Sequence, residues 1–113
     1  MGKLSRRKGQ RGELRVAHAL QVVFPEAARD LNDVNDEQGV DLKNTGNLAV
    51  QVKHYKNHVP LSKFNEIKPE DGRIRVLVSW PTDRKSEPLV VLTLEDFIKM
   101  VQDISIVGVN HDA

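Results

Sequence analysis

At 113 residues the chain has room for one domain with one sizeable core, and none for two. Apolar residues at 39% and charged residues at 29% exclude a disordered composition, and the absence of cysteine excludes disulfides, thiolate nucleophiles and cysteine-ligated zinc. No apolar run approaches the ~20 residues of a membrane span. The net charge of +1 conceals an asymmetry: residues 1–15 set Lys3, Arg6, Arg7, Lys8, Arg11 and Arg15 against Glu13 alone, a net +5, while eleven basic and fifteen acidic residues leave the remainder at −4. A basic arm on an acidic body points to a polyanionic partner, the alternative being a solvated tail. The basic N-terminus lacks the apolar stretch of a signal peptide, so the chain reads as intracellular and cytoplasmic.

The arm, residues 1 to about 9, leads into a helix expected over about 10–24, all within a single domain of residues 1–113. Glu13, Ala17, Leu20 and Phe24 recur at i, i+4, i+7 and i+11 with Leu14, Val16 and Val23 flanking, which is one helical stripe. Pro25 is expected to end it. Residues 27–34 are an ambiguous strand, and Asn35 to Gly39 a polar loop. Val40-Asp41-Leu42-Lys43 alternates like a strand, and Asn44-Thr45-Gly46-Asn47 signals a turn. The clearest strand runs from Leu48 to His54, with Leu48, Val50 and Val52 on one face and Ala49, Gln51 and Lys53 on the other. Pro60 opens a short helix carrying Leu61, Phe64 and Ile67. Ile74 to Trp80 and Leu89 to Leu92 are apolar enough for buried strands. Thr93-Leu94-Glu95-Asp96 has the form of a capping box before an amphipathic face of Leu94, Phe97, Ile98 and Val101. Residues 105–113 carry no strong pattern. Helix, three strands, helix, two strands and helix describe an α/β sandwich around a mostly central sheet.

Three positions on this frame invite chemistry. Glu13 lies in the apolar stripe, where a carboxylate needs a partner or a cation; a first-turn glutamate favoured by the helix dipole is the alternative. Asp41 sits between Val40 and Leu42 and by parity points away from the face those two share. Asp is disfavoured in strands, so it either has a task or lies at a solvated edge. Gln51 and Lys53 share a strand face, and a hairpin of 40–43 with 48–54 would bring Asp41 beside them. An Asp, an amide oxygen and a backbone carbonyl are hard donors that suit Mg²⁺, and a neighbouring lysine can stabilise charge at phosphorus or orient water. A polar outer strand face is the plain alternative. His18, His54, His58 and His111 form no i, i+4 metal pair. His54 and His58 flank Tyr55 and Lys56, where a phosphate contact and a solvent-facing loop are both open. Trp80 reads as packing or rim, and 4% aromatics offer no base-stacking platform. Gly9 and Gly12 match no nucleotide fingerprint.

Taken jointly, Lys8-Gly9-Gln10-Arg11-Gly12-Glu13-Leu14, Gly39-Val40-Asp41-Leu42 and Val50-Gln51-Val52-Lys53 resemble the PD-(D/E)XK nuclease superfamily. Within it the chain is most similar to archaeal-type and phage Holliday-junction resolvase-like nucleases, a likeness extended by Leu89 to Ile98. Ala49 to Lys56 equally resembles Mrr-type restriction nucleases, in which Gln takes the place of the acid. The resemblance covers nearly the whole chain with short, degenerate motifs. It implies a restriction-endonuclease-like α/β fold, a central mixed β-sheet flanked by helices. It also implies an Mg²⁺- or Mn²⁺-dependent endonuclease, a hydrolase of DNA phosphodiesters serving recombination or repair, acting on four-way junctions as a homodimer. In this likeness Glu13 and Asp41 ligate metal, Gln51 and the Val52 backbone carbonyl complete the shell, and Lys53 acts on the nucleophile or the transition-state charge. Lys3, Arg6, Arg7, Lys8, Arg11, Arg15, His54 and Lys56 are the expected DNA contacts. The departure is Gln51 for Glu or Asp, which removes one negative charge and bears on metal affinity. An Mrr-like duplex nuclease and a non-catalytic DNA-binding protein are the competing readings.

Overall fold

The computed structural model describes residues 3–32, 37–83 and 85–103, with the side chains of the first helix from Gly9 onward. In chain order the elements are α1 (Lys3–Leu20), β1 (Ala28–Arg29), β2 (Leu42–Lys43), β3 (Leu48–Lys53), a 3-10 helix (Leu61–Glu66), β4 (Ile74–Ser79), β5 (Leu89–Val91) and α2 (Leu94–Asp103). The order is the one expected from the sequence. β3 and β4 run parallel, in register from Leu48 with Ile74 to Lys53 with Ser79, and β5 pairs antiparallel with β4. The result is a mixed three-stranded sheet with β4 at its centre. β1 and β2 form a separate antiparallel pair, Ala28 with Lys43 and Arg29 with Leu42.

Period-2 alternation sends the side chains of β3 and β4 to two cores. Val50, Val52, Val76 and Val78 pack with Val16 and Ala17 of α1 and with Leu42, while Ala49 and Leu77 pack with Val40, Phe64 and Ile67 on the opposite face. With apolar cover on both faces, β3 and β4 read as nearly continuous buried runs. The Asn44 to Asn47 turn is present, with Asn44 and Gly46 at φ of 61° and 60°. No helix among the described residues is long and apolar enough to cross a membrane.

Four expectations are corrected. The basic arm is not separate from the first helix, because α1 begins at Lys3 and runs through Gly9. Lys, Arg, Leu and Gln favour helix, and one glycine costs only about 1 kcal/mol against them. The same helix stops at Leu20 instead of reaching Pro25, and Val23 and Phe24 both donate backbone bonds to the Leu20 carbonyl, at 2.9 and 2.8 Å. Val22 and Val23 are β-branched, and the residue before a proline avoids helical geometry. Val40 and Leu42 do not share a face: they belong to the two different cores, since the strand β2 starts only at Leu42 and parity holds only within a strand. Finally, β5 is an edge strand with Leu89 and Val90 exposed, so it is not a buried one.

The helix α2 starts as the sequence predicts: Thr93 Oγ1 accepts from Asp96 N at 3.0 Å. None of its residues is fully buried, and Leu94, Phe97 and Ile98 lie open. Met100 closes one side of an apolar hollow of about 200 Å³ lined also by Leu20, Leu48 and Val90.

Candidate functional site

Glu13 is placed by a glycine. The helix α1 crosses the end of β3 so closely that a Cβ on Gly12 would lie 2.5 Å from the Cβ of His54. The next residue, Glu13, is thereby held beside the strand end. It is the eleventh residue of an 18-residue helix, too far from the N-terminus for the helix dipole to explain it. Its partner is Arg29, whose Nε donates to Glu13 Oε1 at 2.9 Å with both side chains mostly buried.

Asp41 is a three-way tie. Its backbone N–H donates to the Val50 carbonyl and its carbonyl accepts from Asp30 N, both at 2.8 Å. Its side-chain Oδ2 accepts from Val52 N, also at 2.8 Å, in the position a neighbouring strand's carbonyl would take in a regular ladder. The expected hairpin of 40–43 with 48–54 is not a paired ladder, since β2 pairs with β1; the two segments meet instead through the Asp41 backbone N–H and side chain.

Gln51 is 5% exposed, and its Oε1 is the one buried side-chain polar atom without a hydrogen-bond partner among the described residues. A turn through Gly39 presses on it. Gly39 has a φ of +76°, and a Cβ there would meet the Glu66 carbonyl oxygen at 2.2 Å and Gln51 Nε2 at 3.1 Å. Only glycine fits.

Lys53 lies two residues on, its Nζ 3.0 Å from Glu66 Oε1; Glu66 Oε2 is 3.1 Å from Lys63 Nζ. The Lys53 ammonium also stands 5.9 Å from the centre of the Tyr55 ring. Burial pushes its pKa down, but the hydrogen bond to Glu66 and the charges of Tyr55, Glu66 and Asp41 more than offset this, leaving it above 10.5. Glu66 is held below the usual 4.5 by its bonds to Lys53 and Lys63.

Glu13, Asp41, Gln51, Val52 and Lys53 thus line one cleft of about 540 Å³, together with Glu37, Tyr55 and Glu66. The alternative of a polar outer strand face fails, because Gln51 is buried and Lys53 nearly so. Among the described residues no three acidic or histidine side chains meet closely enough to hold a metal by themselves.

The remaining expected contacts are more dispersed. Arg11, Arg15 and Lys56 are exposed, with Arg15 stacked over Trp80 at 5.4 Å, so Trp80 serves as packing and rim at once. His54 lies at the cleft but is buried rather than in a solvent-facing loop, its Nδ1 donating to the Trp80 carbonyl at 2.6 Å. His58 is exposed and bonds Ser79 Oγ at 2.8 Å. The side chains of Lys3, Arg6, Arg7 and Lys8, and all of His111, lie outside the described residues. Sequence reasoning misses Arg29 and Glu66. Arg29 belongs to an ambiguous segment, and Glu66 looks in sequence like any exposed helix residue.

Comparison with known proteins finds no matching family model, no matching curated protein and no matching solved structure.

Proposed function

We propose that the chain is a divalent-metal-dependent endodeoxyribonuclease that hydrolyses phosphodiester bonds in branched DNA, on a fold of the restriction-endonuclease type. The observation that carries this reading is the meeting of Glu13, Asp41, Gln51 and Lys53 in one cleft, from three segments of the sequence. The donor set suits a hard cation: two carboxylates, an amide oxygen without a partner among the described residues, and the Val52 backbone carbonyl. A cation bound there would supply the charge that polarises the phosphodiester and the attacking water. Glu13 and Asp41 would hold it with Gln51 Oε1 and the Val52 carbonyl. Lys53 would bring its ammonium to the negative charge that grows on the phosphoryl oxygens. The exposed Arg11, Arg15 and Lys56, with the basic residues earlier on α1, would hold the DNA backbone. The reading includes a homodimer with two clefts for two strands. Among the described residues, the exposed Leu89, Val90, Leu94, Phe97 and Ile98 on β5 and α2 offer one apolar surface for pairing.

A side-by-side assay tests it. Labelled four-way junction, linear duplex and single strand are incubated with Mg²⁺ or Mn²⁺, with light scattering on the same protein to read its oligomeric state. Cutting confined to the junction is expected. Duplex cutting transfers the chain to the Mrr-like reading, and junction binding without cutting makes it a DNA-binding protein. Lys53→Ala and Asp41→Asn should lower cleavage by about 100-fold or more while junction affinity stays within a few-fold. Asn is preferred to Ala at 41 because its side-chain oxygen can still accept from Val52 N, whose loss would cost about 1–3 kcal/mol of fold stability. Full activity in both variants would remove the catalytic assignment.

A further inference from the structure

Glu66 lies outside every motif that suggested the cleft, yet its carboxylate touches the lysine at the centre of it. Resting on the nuclease reading above, we infer that Glu66 is a positioning residue that holds the Lys53 ammonium in the cleft for cleavage.

Three observations carry the inference. First, Glu66 is fixed. It ends the 3-10 helix between Phe64 and Ile67, both buried, and its own carbonyl lies against Gly39. Lys68 N donates to the Gln38 carbonyl at 2.7 Å just beyond, so the segment is clamped on both sides of the contact. Second, the carboxylate is used with both oxygens, Oε1 on Lys53 and Oε2 on Lys63 at 3.0 and 3.1 Å. A carboxylate held from a second side has less freedom to turn away from Lys53. Third, Lys53 has a long chain of rotatable bonds, and its own strand face offers it the neutral Gln51 in place of an acid. Asp41 acts on its ammonium through charge, and the carboxylate of Glu66, thirteen residues further along the chain, is in ion-pair contact with it. A flexible ammonium docked between Glu66 and the Tyr55 ring, with a side chain only 16% exposed, has lost its freedom before substrate arrives.

The test is Glu66→Gln, which keeps shape and removes charge at a side chain 43% exposed, so the fold should survive it. With labelled four-way junction and Mn²⁺, kcat should fall about tenfold or more while KM stays within about twofold, the pattern of an interaction that matters to the reaction and not to binding. An exposed residue with only a structural role would not split the two constants. The contact itself is read without activity: under limited reductive methylation of the full chain, Lys53 should label several-fold faster in Glu66→Gln than in wild type, with Lys56 unchanged. Unchanged labelling of Lys53 overturns the contact, and an unchanged or raised kcat overturns the positioning role. Wild-type protein that cuts none of these DNAs overturns the nuclease reading and takes the role of Glu66 with it. Wild type that cuts, beside a Glu66→Gln variant that cuts equally, overturns the role of Glu66 alone.

Discussion

Gln51 Oε1 lies buried without a partner among the described residues, and leaving such an atom unmet in an interior costs about 1–3 kcal/mol. A cation in the cleft would relieve that cost, and this sets the direction of a charge test. Gln and Glu are nearly isosteric, so Gln51→Glu changes charge and little else. In the metal-free protein the new carboxylate is buried at the same place and is unfavourable; with a divalent cation beside it the charge is attractive. Gln51→Glu should therefore lower the metal concentration giving half-maximal cleavage. The wild type should need high Mg²⁺ and work better with Mn²⁺, because Mg²⁺ dehydrates reluctantly and depends on carboxylates. Metal titrations of both proteins on one junction decide it. A half-maximal concentration that is unchanged or raised would falsify the ligand role and leave Gln51 as a hydrogen-bonding residue for Lys53 or DNA.

Two glycines of α1 make a matched pair at the level of the element. Alanine normally improves a helix interior over glycine by about 0.5–1 kcal/mol. A methyl group added at Gly9 would meet no heavy atom within 4 Å, so Gly9→Ala should gain about that much. A methyl added at Gly12 would lie 2.5 Å from the His54 Cβ and must drive the helix off the strand end. Gly12→Ala should then destabilise by about 1–3 kcal/mol, the range for overpacking a close contact. Glu13 moves with the helix, so cleavage should fall further than stability alone accounts for. Urea unfolding measured beside cleavage checks both. A Gly12→Ala protein as stable and active as wild type would mean that the close crossing does not place Glu13.

Across the whole molecule the charge is divided: a basic first helix on an acidic remainder. The helix that begins at Lys3 also carries Glu13, so on the proposed reading a polyanion drawn to its basic residues would be delivered near the cleft. Each phosphate neutralised contributes about −0.9 to the slope of log affinity against log salt. Replacing Arg6, Arg7 and Lys8 together by Gln should make that slope shallower by as much as about 2–3 and weaken junction binding at low salt. Fluorescence anisotropy across a salt series measures it. Affinity and slope that match wild type would reduce these residues to a solubilising role.

Local pattern alone determined the order of the elements, because hydrophobic periodicity is a property of a single segment and tells helix from strand without knowing what it packs on. It marked β3 as the clearest strand, placed Gln51 and Lys53 on one face, and singled out Glu13 for standing in an apolar stripe. Parity misled at Val40 and Leu42, where Asp41 stands outside regular strand geometry and uses its own side chain to bind Val52 N. Tertiary structure alone decided which charges meet. Arg29 reaches Glu13 across sixteen residues, and Glu66 reaches Lys53 because the crossover from β3 to the parallel β4 carries the 3-10 helix back over the strand end. No periodicity encodes such meetings, since they depend on where two segments lie after both faces of the sheet have been covered, and that covering is a property of the assembled core.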